Sequence, residues 1–598
     1  MEKKLSLLFT WMRCIPVLAL AVVLAHVTTA GSTLSGTAMT GTQPLANATV
    51  RLWQVGTEGY GSAVTLAGST VTNGSGAWTI SAINCNPSNI DVYVIARSNM
   101  GFGPVRVSAF LGPCNTLPSN VLINEVTSIA TIWPLAQFDA LNNGAIGAPA
   151  SNSLGLTNAG LNAANLADVT TGSSPGSSLP AGTTIPTPTI NTLADIMASC
   201  DVAGGGSAAC TNLFSAATPP GQDAPPDSLS AMLYLALFPT NNVNMLFSLI
   251  GPTPPFTPAL PTAPTDWSLA INFASAGLNA PAQLSVDFSG NVWVANFGNN
   301  TIAKFSPAGR LLSGAGFTGG GIDLPFGLAI DSNDDVWASN QGNNSLSKFA
   351  SDGTALSPLL GFTGGGLEAP QYIAVDTTNR IWVANCGDFC DTSGKPSTVS
   401  IFNSTGVAIT PPTGITGGGL NGASGIAING LGVAWVVNQG NNSLTRINSQ
   451  GVVLSSSAGD TGGGLSGSVD IAFSPADYAW ITDSLGNAVS EFRLGGFPQT
   501  GPAGITGGGI NGPLGIAIDS VGTKWIANNV GLAEIDHTAA VLSPSNGFVD
   551  PNSSGPDGVA LDASGNIWVT NSLNNSLSLY LGLARPTKTP VIALPALP

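Results

Sequence analysis

Residues able to do chemistry are few in this chain, and the most regular of them are amides. A Trp recurs at Trp293, Trp337, Trp382, Trp435, Trp480, Trp525 and Trp568, and three residues after each stands Asn296, Asn340, Asn385, Asn438, Asp483, Asn528 or Asn571. Carboxamides carry paired donors and acceptors, so a ring of seven such residues can hold a sugar or a peptide by complementary hydrogen bonds. More amides follow at Asn299-Asn300, Asn343-Asn344 and Asn441-Asn442, and Thr-Gly-Gly-Gly runs recur in the same register. The competing role is local, since Asn at the end of a strand caps its own loop. Both roles are open to one residue, because a capped loop still presents backbone groups.

Acid–base and metal chemistry have less to work with. The chain has two histidines, His26 and His537. His537 has Glu534 and Asp536 beside it but falls in a turn between strands, where it reads as a surface histidine. The stretches Asp287–Asn291 and Asp562–Asn566 have the look of calcium loops. Other copies lose that pattern, as in Ser474–Tyr478, and no bidentate Glu follows, so hairpin turns account for them. No nucleophile elbow, phosphate loop or dinucleotide fingerprint stands between a strand and a helix. The sequence therefore assigns no catalytic residue, no cofactor and no metal ligand.

Lys3, Lys4 and Arg13 precede or enter an apolar run from Ile15 to Ala25, which ends in small residues up to Ala30. This is the pattern of a secretory signal over residues 1–30, and the run is about half the roughly 20 residues that a bilayer span needs. Cys14 stands at the head of the run instead of after a cleavage box, which argues against a lipoprotein. No later segment reads as a membrane span, so the mature chain is expected to be secreted, periplasmic or at the cell envelope. Its six cysteines fall into local pairs, predicting the disulfides Cys85–Cys114, Cys200–Cys210 and Cys386–Cys390. No pair has a neighbouring His to complete a metal site. Losing Glu2, Lys3, Lys4 and Arg13 takes +2 from a net charge of −16 and leaves −18. An acidic chain with no run of Lys or Arg repels phosphate backbones, so nucleic acid is excluded as a partner.

The elements that must position these residues are mainly β. At 598 residues with 75 Gly, 42 Pro and only 8% charge, the chain is too long for one core and rich in turns. The Trp gaps are 44, 45, 53, 45, 45 and 43, and the Thr-Gly-Gly-Gly runs at Thr318, Thr363, Thr416, Thr461 and Thr506 keep gaps of 45, 53, 45 and 45. Four short strands per period, for example Leu328–Asp331, Asp335–Ser339, Ser345–Phe349 and Thr354–Leu359, make a propeller blade. We name them a to d. The 53-residue gap is an insertion around Cys386 and Cys390 in the b–c loop of the third unit. Trp267–Phe273 aligns with strand d but has no unit of its own, and set beside the last unit it closes a ring. The fold class expected is thus mainly β, with a seven-bladed β-propeller over 266–585 and a Pro-rich tail over 586–598. Strands reverse at each hairpin, so b–c and d–a loops share one face, with the seven Asn/Asp residues, and a–b and c–d turns share the other, with His537.

Upstream, Ala48–Trp53, Ala77–Ile80 and Asp91–Ala96 alternate like strands and predict a small β-sandwich over 31–120, stapled by Cys85–Cys114. Residues 121–265 predict a helical, loop-rich linker domain with helices over Asn191–Cys200, Pro226–Phe238 and Asn241–Ile250. Thr170–Pro188 reads as exposed loop, and the Pro-rich run Gly251–Pro264 as the boundary to the repeats.

Units such as Pro370–Asp376 (PQYIAVD) with Ile381–Asn385 (IWVAN), and Leu561–Asn571, resemble NHL-repeat propellers, and among them the streptogramin (virginiamycin B) lyase-like group. The resemblance implies a propeller fold. Lyases of that kind lean on histidines, a glutamate and a divalent cation, and a mature chain with one histidine departs from them there. Gly36–Ala38 followed by Gln43–Val50 resembles the start of carboxypeptidase-regulatory-like (Cna-B-like) domains, which implies a spacer or adhesive role. Together these give a secreted binding or scaffold protein that takes a polar extracellular ligand, a glycan or a peptide, on the b–c/d–a face. The alternatives are a streptogramin-lyase-like carbon–oxygen lyase or hydrolase, and a purely structural envelope protein. The sequence assigns no oligomeric state.

Overall fold

The structure, a computed structural model, describes residues 33–98, 105–139 and 144–598; the expected leader over 1–30 lies outside the described residues. Its repeated unit is clearest in the second Trp-bearing sheet, with strand a Pro325–Ile330, strand b Val336–Asn340 and strand c Ser345–Phe349. Trp337 is fully buried, paired across the sheet with Ala329 on one side and Lys348 on the other. Its ring lies 5.6 Å from Phe362, and the Lys348 ammonium stands 4.9 Å from its centroid. The indole Nε1 donates to Asp331 at 3.0 Å, and that carboxylate also accepts from the N–H groups of Asn333 and Asp335. The same indole–aspartate bond joins Trp293 to Asp287, Trp382 to Asp376 and Trp568 to Asp562. The repeated Trp is therefore core, and the Asp-rich stretches are turns built on a side-chain acceptor. Among the described residues no group of acidic, His or Cys side chains could hold a metal ion.

One expectation fails in this unit. Strand d, expected over Thr354–Leu359, is reduced to isolated bridges at Phe349↔Ala355 and Leu346↔Phe362. The Lys348 N–H bonds the Ser357 hydroxyl at 2.9 Å, where a strand partner would offer a carbonyl, and Gly361 then turns with φ +75°. A side chain thus takes the place of one ladder acceptor, and the chain bulges away. Among the seven Trp-bearing sheets a fourth strand appears in two: Phe497–Pro498 in the fifth, and β10, introduced below, in the last.

The first strands of successive sheets neighbour one another in chain order, and that of the last sheet neighbours that of the first. The result is a propeller-like ring of small antiparallel sheets. In the N-terminal region β1 (Leu34–Thr40) pairs with β2 (Gln43–Pro44), β5 (Ala77–Ile80) and, in parallel, β8 (Val121–Ile123). A second sheet has the order β4 (Thr65–Val71), β3 (Thr49–Gln54), β6 (Asp91–Arg97), β7 (Arg106–Pro113). The cysteine pairs Cys85–Cys114, Cys200–Cys210 and Cys386–Cys390 all stand at disulfide distance.

α1 (Glu125–Leu135), every residue of which is buried, and α2 (Ser153–Leu166) have no counterpart in the sequence reading, and neither does a shorter helix over Ala208–Ala217. Farther on, β9 (Thr183–Thr184) lies within the segment read as exposed loop. The helix expected from Asn191 starts earlier, as α3 (Thr187–Asp201), with Asn191 buried in its middle and bonded to the Pro258 carbonyl. After α4 (Ala208–Ala217) comes α5 (Ser228–Leu237), capped by the Asp227 carboxylate on the Ser230 N–H. The helix expected over Asn241–Ile250 shrinks to α6 (Val243–Phe247), since Asn242 is left-handed at φ +46° and cannot continue a helix.

The ring is closed by β10 (Ala270–Ala274), which pairs antiparallel with strand c of the last sheet, Ser576–Tyr580, and carries β9 on its outer edge. Phe273 stacks on Trp568 at 5.8 Å and covers Gly309 of the first unit, as Phe317 covers Gly353. One continuous apolar core joins both N-terminal sheets, the helices and the first and last sheets of the ring. Phe273 is 1% exposed, so Phe273→Ala should cost about 3–5 kcal/mol, read as a lowered chemical-denaturation midpoint of the whole chain. A change below about 1 kcal/mol, an ordinary surface effect, would mean that this strand does not close the ring.

Candidate functional site

The seven residues at the end of strand b are where the sequence put its ligand ring, and the structure turns them inward. Asn296, Asn340, Asn385, Asn438, Asp483, Asn528 and Asn571 are all 0–1% exposed. Asn340 Nδ2 donates to the hydroxyls of Ser345 and Ser347 at 3.0 and 2.9 Å, and its Oδ1 accepts from the Asp323 N–H at 3.4 Å. Asn385, Asn438 and Asn571 repeat the two hydroxyl bonds, Asn296 reaches Thr301 and the Gly277 carbonyl, and Asn528 turns to the Ile526 carbonyl. The glycine carbonyls are used as well: Gly320 accepts from Ser347 and Ser357, and Gly321 from Asn343 and Ser345. Gly319, Gly320 and Gly321 are all left-handed, and a Cβ on Gly321 would stand 2.1 Å from the Gly361 nitrogen. The expected ring of ligand-facing amides is corrected here. A buried amide must spend its donors inside the protein, and all but Asn528, which bonds its own strand, spend them tying strand b to strand c or to the d–a loop.

What lies open is decided by the rest of the chain. On the turn face, Asn158 of α2 donates to the Ser289 carbonyl, Asn162 to Pro307 and Asn165 to Ala308, while Ser564 donates to the Gly155 carbonyl. In α1, Trp133 Nε1 reaches the Trp267 carbonyl, and Gln137, just beyond the helix, reaches Gly582. The tail after residue 585 then crosses the same face. Thr587 N–H bonds the Asp562 carbonyl, Thr589 Oγ1 donates to Asp287, and Leu594 packs into the fifth sheet's core. His537 is exposed in the c–d turn of the sixth unit on this face, and Asp536 beside it accepts from the Thr538 and Ala540 N–H groups.

Between the two faces runs a central cavity of about 230 Å³, floored by Thr589, Val591, Ala593 and Pro595 of the tail. Its wall carries Ser285, Ala329, Ala374, Ala427, Ala472, Ala517 and Ala560, small side chains where seven strands converge. Two residues earlier on each strand a, four sheets have Gly (Gly327, Gly425, Gly515, Gly558), and three have Gln283, Tyr372 and Asp470. A Cβ on Gly327 would meet the Gln371 carbonyl at 2.5 Å, and one on Gly515 the Asp557 carbonyl at 2.5 Å, so the larger residues fit where neighbouring strands leave room. Gln283 Nε2 donates to the Tyr372 hydroxyl at 3.1 Å, from the first sheet to the third. These residues form a polar collar at the loop-face end of the cavity.

Burial pushes the Asp470 carboxyl up to about 7 against the N–H groups of Ile471 and Ile516, and the Asp557 charge adds to the rise. Burial lifts Asp557 to about 6, and burial with these two carboxylates nearby raises Tyr372 well above the usual phenol range. Carboxyl groups held near neutrality can donate as well as accept, which suits hydroxyl-bearing ligands and proton transfer alike. Around the collar the b–c loops expose Phe389, Leu485 and Leu573. Sequence reasoning missed the collar, although the signal was present as three polar exceptions at a repeated Gly position.

Asp483 is the one carboxyl among the seven strand-b ends. Its Oδ2 meets the Ser490 hydroxyl at 2.6 Å, while Ser490 also bonds the Gly463 carbonyl at 2.8 Å. One hydroxyl proton cannot serve both acceptors, so a protonated Asp483, donating as Asn340 does to Ser347, fits this network. Burial raises its pKa from 3.8 to about 6. The folded state then holds the proton more tightly than the unfolded chain, and stability falls as pH rises from about 4 to about 6. Asp483→Asn keeps the bonds without the proton, so its stability advantage over the parent should grow by on the order of 2–3 kcal/mol across that window and stay level above it. Urea melts from pH 3.5 to 8 check this; a difference that does not change with pH would contradict it.

No family model matches the chain, and no curated protein does. Among solved structures, a streptogramin B lyase matches at 17% identity and a TM-score of 0.40, over 51% of this chain and 94% of the other. A virginiamycin B lyase from Staphylococcus aureus gives 17% and 0.40 over 52% and 98%. The extracellular domain of a putative one component system from B. thetaiotaomicron gives 14% and 0.37 over 51% and 40%. At such values the propeller-like architecture rests on the ring of sheets itself.

Proposed function

We propose that this chain is an exported binding protein in which residues 266–585, a seven-bladed NHL-like β-propeller, present the b–c/d–a loop face to a polar ligand, a glycan or a peptide. Residues 31–120, a carboxypeptidase-regulatory-like β-sandwich, and the helical segment 121–265 hold and back the propeller. The observation that carries this reading is the inequality of the two faces. The turn face is taken up by α1, α2 and the tail, whereas the loop face carries the Gln283–Tyr372 collar, Asp470, Asp557 and the exposed apolar loop residues. Polar groups that converge at a concave point, rimmed by apolar side chains, are the ordinary make-up of a ligand site. Three disulfide-bonded cysteine pairs, with no helix among the described residues long and apolar enough to cross a membrane, are compatible with export.

A second reading, a lyase or hydrolase, draws on Asp470 and Asp557. Two interacting carboxyl groups near neutral acidity beside a phenol make a usable acid–base set. It would proceed without histidine.

Titration calorimetry of the mature chain against neutral oligosaccharides and short peptides tests the binding site. A ligand of the loop face should bind at least tenfold more weakly to both Tyr372→Phe and Asp470→Asn, with denaturation midpoints near the parent's. Binding through the protonated Asp470 should also weaken as pH rises through about 7, and Asp470→Asn should lack that dependence. Full affinity in both variants would remove the collar from the site, and turnover of the ligand with a matching pH profile would select the enzyme reading.

A further inference from the structure

The sequence has no run of basic residues, yet the fold assembles one. β3 alternates, with Val50, Leu52 and Gln54 buried and Thr49, Arg51 and Trp53 on the outer face of its sheet. The pairing of β3 with β6 sets Thr49 against Arg97, Arg51 against Ile95 and Trp53 against Tyr93, and β6 with β7 sets Arg97 directly opposite Arg106. Arg51, Arg97 and Arg106, three of the chain's nine arginines, therefore line one cleft of about 340 Å³ together with Trp53 and Tyr93.

Such a concentration is unusual in a chain of net charge −16. Like charges directly across a sheet oppose its pairing, so Arg97 beside Arg106 is an arrangement that an anion would relieve. Arg106 bridges Asp227 at 3.0 Å, and Asp139 lies close enough to act on Tyr93, but three guanidinium groups still outnumber these two carboxylates. The Arg51 guanidinium rests over the Trp53 ring at 5.8 Å, which holds its planar fork in place before any ligand arrives. Arg97 is exposed, and Tyr93 is anchored by its hydroxyl on the Gly144 carbonyl at 2.8 Å.

We propose that this cleft is a second binding site, separate from the loop face, for a small polyhydroxylated carboxylate such as a uronate unit of an acidic saccharide. Paired guanidinium forks match a carboxylate in a bidentate way, as point-charge lysines do not. The cleft lies on the face of a sheet and offers side-chain donors, not a free strand edge, which suits a compact ligand better than an extended peptide. Its volume lies in the range of small-molecule sites.

The test uses the full mature chain at low ionic strength, titrated calorimetrically with galacturonate, oligogalacturonate, galactose, sulfate and an acidic peptide. Uronates should bind, galactose should not, and Arg51→Ala and Arg97→Ala should each weaken binding at least tenfold. Arg97→Lys should fail to restore it, because the fork is lost. Arg106 is left intact because it also holds Asp227, and unchanged thermal midpoints for the Arg51 and Arg97 variants exclude unfolding. Binding by the oligomer alone assigns the site to polymer chains, and binding by the monomer assigns it to free uronate. Absence of uronate binding, equal binding of sulfate or galactose, preference for the peptide, or full affinity in the variants would each overturn the proposal.

Discussion

A buried hydrogen-bonding side chain at the end of every second strand is the constraint on which the ring depends. It sits where strand b must hand over to a loop, beside strand c and the d–a loop, and far from water. Left unpaired, a buried amide costs about 1–3 kcal/mol, so residues such as Asn340 dictate their surroundings: hydroxyls on strand c, an N–H from the preceding loop, and glycine carbonyls to take the hydroxyl protons in turn. The Thr-Gly-Gly-Gly run follows from the same need. Only glycine can hold three successive left-handed residues close against the next unit. Six such clasps, with Asn528 as the exception, fix the loops of one face, and in the first three sheets Trp, aspartate turn and overlying cation fix the other end.

Regular clasps at one end and occupied turns at the other leave a molecule with two unlike faces. The chain uses its own helices and tail to satisfy turn carbonyls that would otherwise meet water. The loop face keeps the irregular residues. Gln283, Tyr372 and Asp470 break a position that is otherwise glycine, and they do so at the point where the strands converge. In a repeat protein the regular positions carry the fold, and the departures are where a site can be built.

Much of this was legible in the sequence. The Trp period gave the sheets, their strand b and c bounds to within a residue in the second unit, the insertion at Cys386–Cys390 and the closing strand. Strand d was misread because Ser357 offers a side-chain partner to the backbone, which alternation of residue types does not reveal. Helix α1 went unseen for a different reason: Val126, Thr127, Ile129, Thr131, Ile132 and Pro134 are poor helix formers, and complete burial overrides their propensity. The amides were found with both roles open, loop cap and ligand contact, because spacing locates a residue on a strand without telling whether its end is covered. The arginine cleft was invisible, since Arg51, Arg97 and Arg106 meet only through strand pairing.

The central claim is that the chain closes its own turn face and leaves the loop face to a ligand. Amide hydrogen exchange on the full chain, read by peptide, tests it most directly. Residues 586–598 should exchange slowly, together with the a–b turns at Asp287 and Asp562 that the tail crosses, while the b–c loops around Leu485 and Leu573 exchange fast until a ligand is added. A tail that exchanges at the rate of a free peptide, with both faces equally accessible, would contradict the account.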